Sequence, residues 1–410
     1  MSRLGIIAEY NPFHNGHKYL LDEAMNRTGA ESSIALMSGN FLQRGNPALA
    51  DKYSRAQAAV IGGVDIVFEL PVIYATGSAK DFANGAVYIL EKSGAVNYLA
   101  FGVEDDEIGL FSEIADILVE EPEEYKSNLN RYLEKGLTFP LASEKAIKKI
   151  LGDQISDIIE KPNNILAISY IASLKRFNSK IMPVLIKRSD TGYHSTKIKD
   201  NLCSAKAIRN ALINGQDISS LVPPKSMEPY EEFTKKSIPD VSWLSPFLAS
   251  RIIYDRNLPE EISGFSKVMD MNPELLHRLR KAPLPITYVE LIDYLKTKNL
   301  TMTRVSRVLL HLILGIINED RIMAKQNGYA DYLNLLALNA DSSSVIKEIS
   351  SNSDLEIISK KSAYNPEREL GKRLWQLDKL STDLYNQMIY QASKIRLKSE
   401  LSCSVRIIKK

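Results

Sequence analysis

The stretch Leu4-Gly5-Ile6-Ile7-Ala8-Glu9-Tyr10-Asn11-Pro12-Phe13-His14-Asn15-Gly16-His17 decides the fold. Its apolar opening reads as a buried parallel strand, and Asn11-Pro12 must end that strand, because proline removes a ladder donor and restricts the residue before it. Two imidazoles follow the break. Lys18 to Met25 then has the apolar spacing of a helix, so the histidines sit on a strand-to-helix turn. A helix N-terminus offers unpaired N–H groups and partial positive charge, which suits a phosphate. Gly16 lets backbone approach a ligand closely. His14 and His17 supply hydrogen-bond donors where charge builds on a phosphoryl oxygen.

As an isolated pattern, two histidines three apart fit one helical edge, a metal pair or a solvated turn as well as a catalytic pair. Context adds weight, because the 410-residue chain has only five histidines and two of them stand between a strand pattern and a helix pattern. No lysine-bearing P-loop accompanies them.

Working outward, Ser33 to Met37, Val64 to Leu70, Val96 to Phe101 and Ile181 to Ile186 read as further strands, with helices at Lys52 to Ile61 and Ala79 to Glu91. This βαβ series predicts an α/β fold, a doubly wound parallel sheet with right-handed crossovers. Ligands of such sheets bind beyond the carboxyl ends of strands, where strand order reverses. The histidine turn, Gly102 and Lys187-Arg188 all follow predicted strand ends. Gly102 fits an ordinary strand-end turn as well as backbone presented to a base or ribose, and a lone arginine such as Arg188 is more often solvated than bound to phosphate.

Glu107 to Val119, Glu123 to Gly136 and Leu141 to Leu151 read as an inserted helical layer. Pro162-Asn163-Asn164 then opens a helix from Ile165 to Phe177, with residue types that suit a helix start. Two asparagines in succession can both cap and reach outward. From about Pro239 the pattern changes to helices without buried strands: Trp243 to Asp255, Pro273 to Arg280, Thr287 to Lys296, Thr303 to Asn318 and Ala363 to Ile395.

Composition bounds the rest. With 44% hydrophobic and 25% charged residues the chain can bury a sizeable core in two or three domains. A formal net charge of +2 gives no global basic signature, so any nucleic-acid surface has to be local. Lys296, Lys298, Arg304 and Arg307 occur with no acidic residue between Leu295 and Asn318. A solvated helix face is the default reading, yet four cations at this spacing can also follow a phosphate backbone. Cys203 and Cys403 lie far apart and form neither a disulfide framework nor a zinc spacing, which fits a reducing cytoplasm. No signal-peptide pattern or bilayer-length apolar run is expected to direct secretion or membrane insertion.

The run Glu9 to His17 belongs with Met37-Ser38-Gly39-Asn40-Phe41-Leu42-Gln43-Arg44-Gly45, Asp51-Lys52, Glu69-Leu70-Pro71, Phe101-Gly102, Pro162-Asn163-Asn164-Ile165-Leu166 and Ser204-Ala205-Lys206-Ala207-Ile208-Arg209. Together these resemble the bacterial tRNA(Met) cytidine acetate ligases, densely over the first half and loosely beyond it. The His-x-Gly-His motif itself belongs to the wider nucleotidylyltransferase superfamily.

The resemblance implies an ATP site built from Ile7, Ala8, Glu9, Tyr10, Asn11, Pro12, Phe13, His14, Asn15, Gly16, His17, Lys18, Tyr19 and Leu20, with Gly102, Arg188 and Asn163 ahead of Asn164. His14 and His17 are the implied catalytic pair. Ser204 and Arg209 would face the departing pyrophosphate, although Ala205 replaces the threonine of the commoner signature. The implied reaction forms acetyl-adenylate from acetate and ATP, then acetylates N4 of the wobble cytidine of elongator tRNA(Met). Mg²⁺ is expected with ATP; no protein metal site, membrane or DNA is. Residues 1–220 would form a nucleotidylyltransferase-like Rossmann domain with a helical insertion at about 105–160. Residues 221–410 would form a mainly helical tRNA-binding region carrying Lys296, Lys298, Arg304 and Arg307. The rival readings are a nucleotidylyltransferase acting on a small metabolite and a non-catalytic, nucleotide-regulated RNA-binding protein.

Overall fold

The computed structural model describes residues 2–188, 204–236, 238–259 and 262–409. Its centre is one sheet of eight strands: β1 (Arg3–Ala8), β2 (Ser32–Ser38), β3 (Ile66–Leu70), β4 (Tyr98–Val103), β5 (Met182–Lys187), β6 (Tyr332–Asn339), β7 (Glu356–Ile358) and β8 (Arg406–Ile408). The order is β5-β4-β1-β2-β3-β6-β7, with β8 beside β6. The first five strands run parallel, as the βαβ pattern predicts. From β1 the chain steps to β2 and β3 on one side, then returns to lay β4 and β5 on the other. Strand order therefore reverses between β1 and β4, and the crevice of that reversal lies off Ala8 and Gly102.

Helices cover both faces, which is why β2 and β3 are buried along their whole length. The inserted layer forms as Ile108–Glu120, Glu123–Glu134 and Phe139–Leu151, within a few residues of its predicted bounds. Cys403 is a free thiol. Cys203 lies outside the described residues.

The C-terminal half departs from the sequence reading in one respect. It is mainly helical, with helices Ser245–Arg256, Pro273–Arg280, Tyr288–Leu295, Met302–Leu314 and Glu369–Ser393, but it also supplies β6. That strand runs antiparallel to β3, pairing Ile66 with Leu338 and Glu69 with Asn334, and all eight of its residues are buried. Tyr332-Leu333-Asn334-Leu335-Leu336-Ala337-Leu338-Asn339 escaped prediction because short apolar runs rich in leucine and alanine do not distinguish a buried strand from a buried helix segment.

The added strand closes a buried charged cluster. Lys52 Nζ lies 2.7 Å from Glu69 and 2.8 Å from Glu400, and all three side chains are almost fully buried. Asn334 Nδ2 donates to Glu69 at 2.6 Å, and the Tyr53 and Thr382 hydroxyls each donate to Glu400 at 2.9 Å. Asp378, on the long helix Glu369–Ser393, accepts from Val72 N–H at 2.8 Å and from the Tyr332 hydroxyl at 2.6 Å. Burial pushes the Glu69 carboxyl up to about 7 and Asp378 up to about 6. Glu400 is buried as well, yet Lys52 and the hydroxyl donors hold it below the usual carboxylate range. The first and last parts of the chain are joined through this cluster.

Candidate active site

The chain leaves β1 through Tyr10, whose φ of +46° is in the left-handed region, and turns at Asn11-Pro12 into the helix Asn15–Thr28. Phe13 is buried and its N–H donates to the Tyr230 hydroxyl at 3.3 Å. His14 caps the helix: its Nδ1 accepts from Gly16 N–H at 3.0 Å, while His17 Nδ1 accepts from His14 N–H at 3.3 Å. An acceptor nitrogen carries no proton, so each neutral ring bears its hydrogen on Nε2. The rings stack with centroids 3.7 Å apart. Two Nε2–H donors are thus fixed side by side by the backbone of the turn.

Burial and the charges of Arg188 and Arg209 lower the His14 pKa to about 3; burial, His14 and Arg188 hold His17 well below its usual value. Both rings are therefore neutral donors at neutral pH. Long-range ¹H–¹⁵N spectra of the imidazoles should show both as Nε2–H tautomers that do not titrate between about pH 5.5 and 8. An unfolded histidine protonates near 6.5 while these stay neutral when folded, so the pair lowers stability as pH falls below about 6.5 and has no such effect above it. Chemical shifts moving through a normal histidine titration would contradict this assignment.

The turn faces a cleft of about 610 Å³ at the reversal between β1 and β4. Ile7, Ala8, Glu9, Tyr10, Asn11, His14, His17 and Leu20 line it from the first strand and helix. Gly102, Asn163 and Arg188 line it from beyond β4 and β5, and Ser204 and Arg209 from the helix Ala205–Ile213. Arg188 donates to Asn163 Oδ1 at 3.5 Å. A Cβ on Gly102 would press on the Arg188 side chain at 3.3 Å, so the missing side chain keeps that arginine in place. Arg209 donates to the Asn11 carbonyl at 2.6 Å and ties the second helix start to the histidine turn. Two helix starts, two arginines and two imidazole donors converge here, an arrangement suited to a polyphosphate.

A model of the HIGH nucleotidyl transferase family matches residues 1–400. Over 389 residues the chain is 38% identical to a tRNA(Met) cytidine acetate ligase of Caldanaerobacter subterraneus, covering 94% of this chain and 95% of the relative. The protein of the same name from Halothermothrix orenii is 38% identical over 418 residues, with 97% of each covered. The chain belongs to the tRNA(Met) cytidine acetate ligase family. The apo crystal structure of Thermotoga maritima TmcAL, 29% identical, superposes with a TM-score of 0.92 and full coverage of both chains. The form of that protein bound with alpha-thio ATP gives 0.89.

Within this ligase-family fold the remaining predicted residues separate by location. Asn164 is fully buried and spent on the Glu104-Asp105 loop, accepting from Glu104 N–H at 3.0 Å and donating to Asp105 at 2.8 Å, whereas Asn163 faces the cleft. Pro12, Phe13, Asn15, Gly16, Lys18 and Tyr19 support the turn and do not line the cleft. Asn15 donates to the Ser220 carbonyl at 2.9 Å, and Lys18 pairs with Asp22 at 2.9 Å. The four cations of the helical half do not share one exposed face. Lys296 and Lys298 are exposed, Lys296 pairing with Asp293 at 2.6 Å, while Arg304 and Arg307 are half-buried and Arg304 donates to the Asp270 carbonyl.

One supporting residue was not foreseen. Arg55 is fully buried and donates to the carbonyls of Glu9 at 2.6 Å, Ser38 at 3.0 Å and Ala50 at 3.1 Å, and also to that of Gly39. It binds the carboxyl ends of β1 and β2 to the loop that follows. Arg55 stands immediately before the largely apolar run Ala56 to Ile61, beside Lys52 and Ser54, so nothing in the sequence marked it as buried.

Proposed function

We infer that this chain is an ATP-dependent acetate ligase acting on elongator tRNA(Met). The observation that carries the reading is the paired Nε2–H donors of His14 and His17, held between Arg188 and Arg209 at the strand reversal. An acetate oxygen attacks the α-phosphorus of ATP, the bond to the bridging oxygen breaks, and pyrophosphate leaves. His14 and His17 meet the charge that develops on the α-phosphate, in a place where donors are already oriented. Arg188 and Arg209 hold the triphosphate, and Ser204 begins a helix aimed at the leaving group. In the second step the N4 amine of the wobble cytidine attacks the acetyl carbon, AMP departs with its bonding electrons, and the nitrogen loses a proton. The product is N4-acetylcytidine.

Mg²⁺ would accompany the nucleotide and offset its charge. Among the described residues no group of three or more His, Cys, Asp and Glu is placed to hold a metal. The ion would be held mainly by phosphates and water, the usual habit of Mg²⁺, with Glu9 as the carboxylate lining the cleft. Among the described residues no helix is long and apolar enough to cross a membrane. In this reading the protein works in the cytoplasm, where its tRNA substrate is found, and the free thiol at Cys403 is compatible with that compartment.

Incubation of the purified protein with ATP, acetate and unmodified tRNA(Met) should yield N4-acetylcytidine by nucleoside mass spectrometry. A product that appears only when acetyl-CoA replaces acetate and ATP would overturn the proposal. Two binding predictions accompany it. Gly102→Val and Arg188→Ala should each weaken ATP binding by calorimetry about tenfold, through displacement or loss of one phosphate contact, and leave tRNA binding intact; unchanged affinity in both moves the nucleotide elsewhere. Replacing Lys296, Lys298, Arg304 and Arg307 with alanine should weaken tRNA binding and flatten its salt dependence. A wild-type salt slope would make them ordinary surface residues.

A further inference from the structure

The lining of the cleft is not uniform in chemistry. Around the histidine turn it gathers arginines, imidazoles and helix starts. It also carries Ile213 at the end of the helix Ala205–Ile213, one turn beyond Arg209, Val289 in the first turn of Tyr288–Leu295, and Met302 at the first position of Met302–Leu314. Their relative exposures are 65%, 45% and 62%, high for large apolar side chains lining one cavity. Apolar surface kept open beside a functional cleft marks a place where something docks.

Charge limits what that can be. The helix Tyr288–Leu295 carries Glu290 and Asp293 and no basic residue, and Asp293 lines the cleft. Glu290 is spent on the helix cap, accepting from Thr287 N–H at 2.8 Å. Asp293 is exposed and its pair with Lys296 is an i,i+3 surface pair, of the kind that contributes little and exchanges readily. A phosphate gains nothing beside that helix. A neutral planar base does: its faces contact the aliphatic side chains, and a carboxylate can accept from an exocyclic amine, as it does from cytosine N4.

We propose that Ile213, Val289 and Met302, with Asp293 beside them in the lining, form the seat of the acceptor cytosine, turned out of its stack to face the nucleotide within the cleft. This rests on the tRNA ligase reading above. It adds that Val289, Asp293 and Met302 of the helical half present the reactive base together with Ile213 of the first half, and that Ile213 and Met302 are positioning residues for the second step only.

The test uses the full-length protein with Ile213→Ala and Met302→Ala combined, and Met302→Leu alone. The replaced side chains are largely exposed, so the double variant should melt like the wild type. Expected results are acetate-dependent ATP–pyrophosphate exchange within about twofold of wild type, and transfer to tRNA at sub-saturating concentration reduced about tenfold or more, the scale of a lost base contact. Met302→Leu, which keeps a large apolar side chain, should restore most of the transfer. With pyrrolocytosine at the wobble position, fluorescence should rise on binding the wild type, as the base unstacks, and rise less with the double variant. A raised KM for ATP in the exchange assay would assign this part of the lining to adenine, a raised KM for acetate would assign it to the acid, and wild-type transfer would leave it without a role; each overturns the proposal. Failure of the wild type itself to acetylate tRNA would instead count against the ligase reading.

Discussion

Replacing His14 or His17 with alanine is expected to slow acetyl-adenylate formation by ~10²-fold or more, the scale of losing one preorganised donor to a developing oxyanion. The geometry makes a sharper statement than loss of activity. In each ring Nδ1 is consumed by the backbone of the turn and Nε2–H is the working end. Asparagine can imitate the first function and glutamine the second. His14→Asn should therefore fold with the turn intact and remain as slow as His14→Ala, while His14→Gln should recover part of the rate. Equal recovery by both amides, or near-wild-type exchange in both alanine variants, would remove the histidines from the chemistry.

The second large effect concerns stability. Lys52→Met leaves Glu69 and Glu400 without their shared cation in a site closed to water. Breaking a buried pair from one side typically costs ~3–5 kcal/mol, because the remaining charge stays desolvated. Urea unfolding should show a loss of that order. Part of it should be recovered at lower pH, because protonation relieves the unpaired carboxylates. In the wild type Glu69 and Asp378 already have raised pKa values, near 7 and 6, so the folded form binds their protons more tightly than the unfolded chain. Their contribution is therefore greatest below about pH 4 and declines as pH rises through 7. A Lys52→Met protein as stable as wild type at neutral pH would show that the cluster is relaxed or hydrated.

The contrast between these two sites explains what the sequence made legible. The histidine turn is local: strand, break, imidazoles and helix lie within one short stretch, and the stacked rings are three residues apart. Gly102 and Arg188 were readable for a related reason, since each ends a strand whose apolar pattern can be recognised by itself and the parallel topology brings those ends together. Lys52, Glu69, Asp378 and Glu400 have no such signal. They are brought together by β6, whose leucine-rich run carries no decisive period, and by the long helix Glu369–Ser393 packing across the first half. Arg55 was hidden likewise, because its partners are backbone carbonyls, which leave no mark in sequence.

The four cations of the helical half show what a count of charges along the chain leaves out. An acid-free interval from Leu295 to Asn318 suggested one basic face, but Asp293 precedes the interval and Asp270 approaches it from another segment. Arg321, for example, pairs with Asp270 at 2.9 Å. Linear charge runs do not show which side chains the fold turns inward.

In the proposed function this cleft joins acetate to AMP before any RNA is involved. Isotope exchange between ATP and pyrophosphate, measured without tRNA, tests it most directly. Exchange that depends on acetate and falls by ~10²-fold or more in His14→Asn is the predicted result. Exchange independent of acetate, driven instead by another acid, or absent with ATP bound would contradict it.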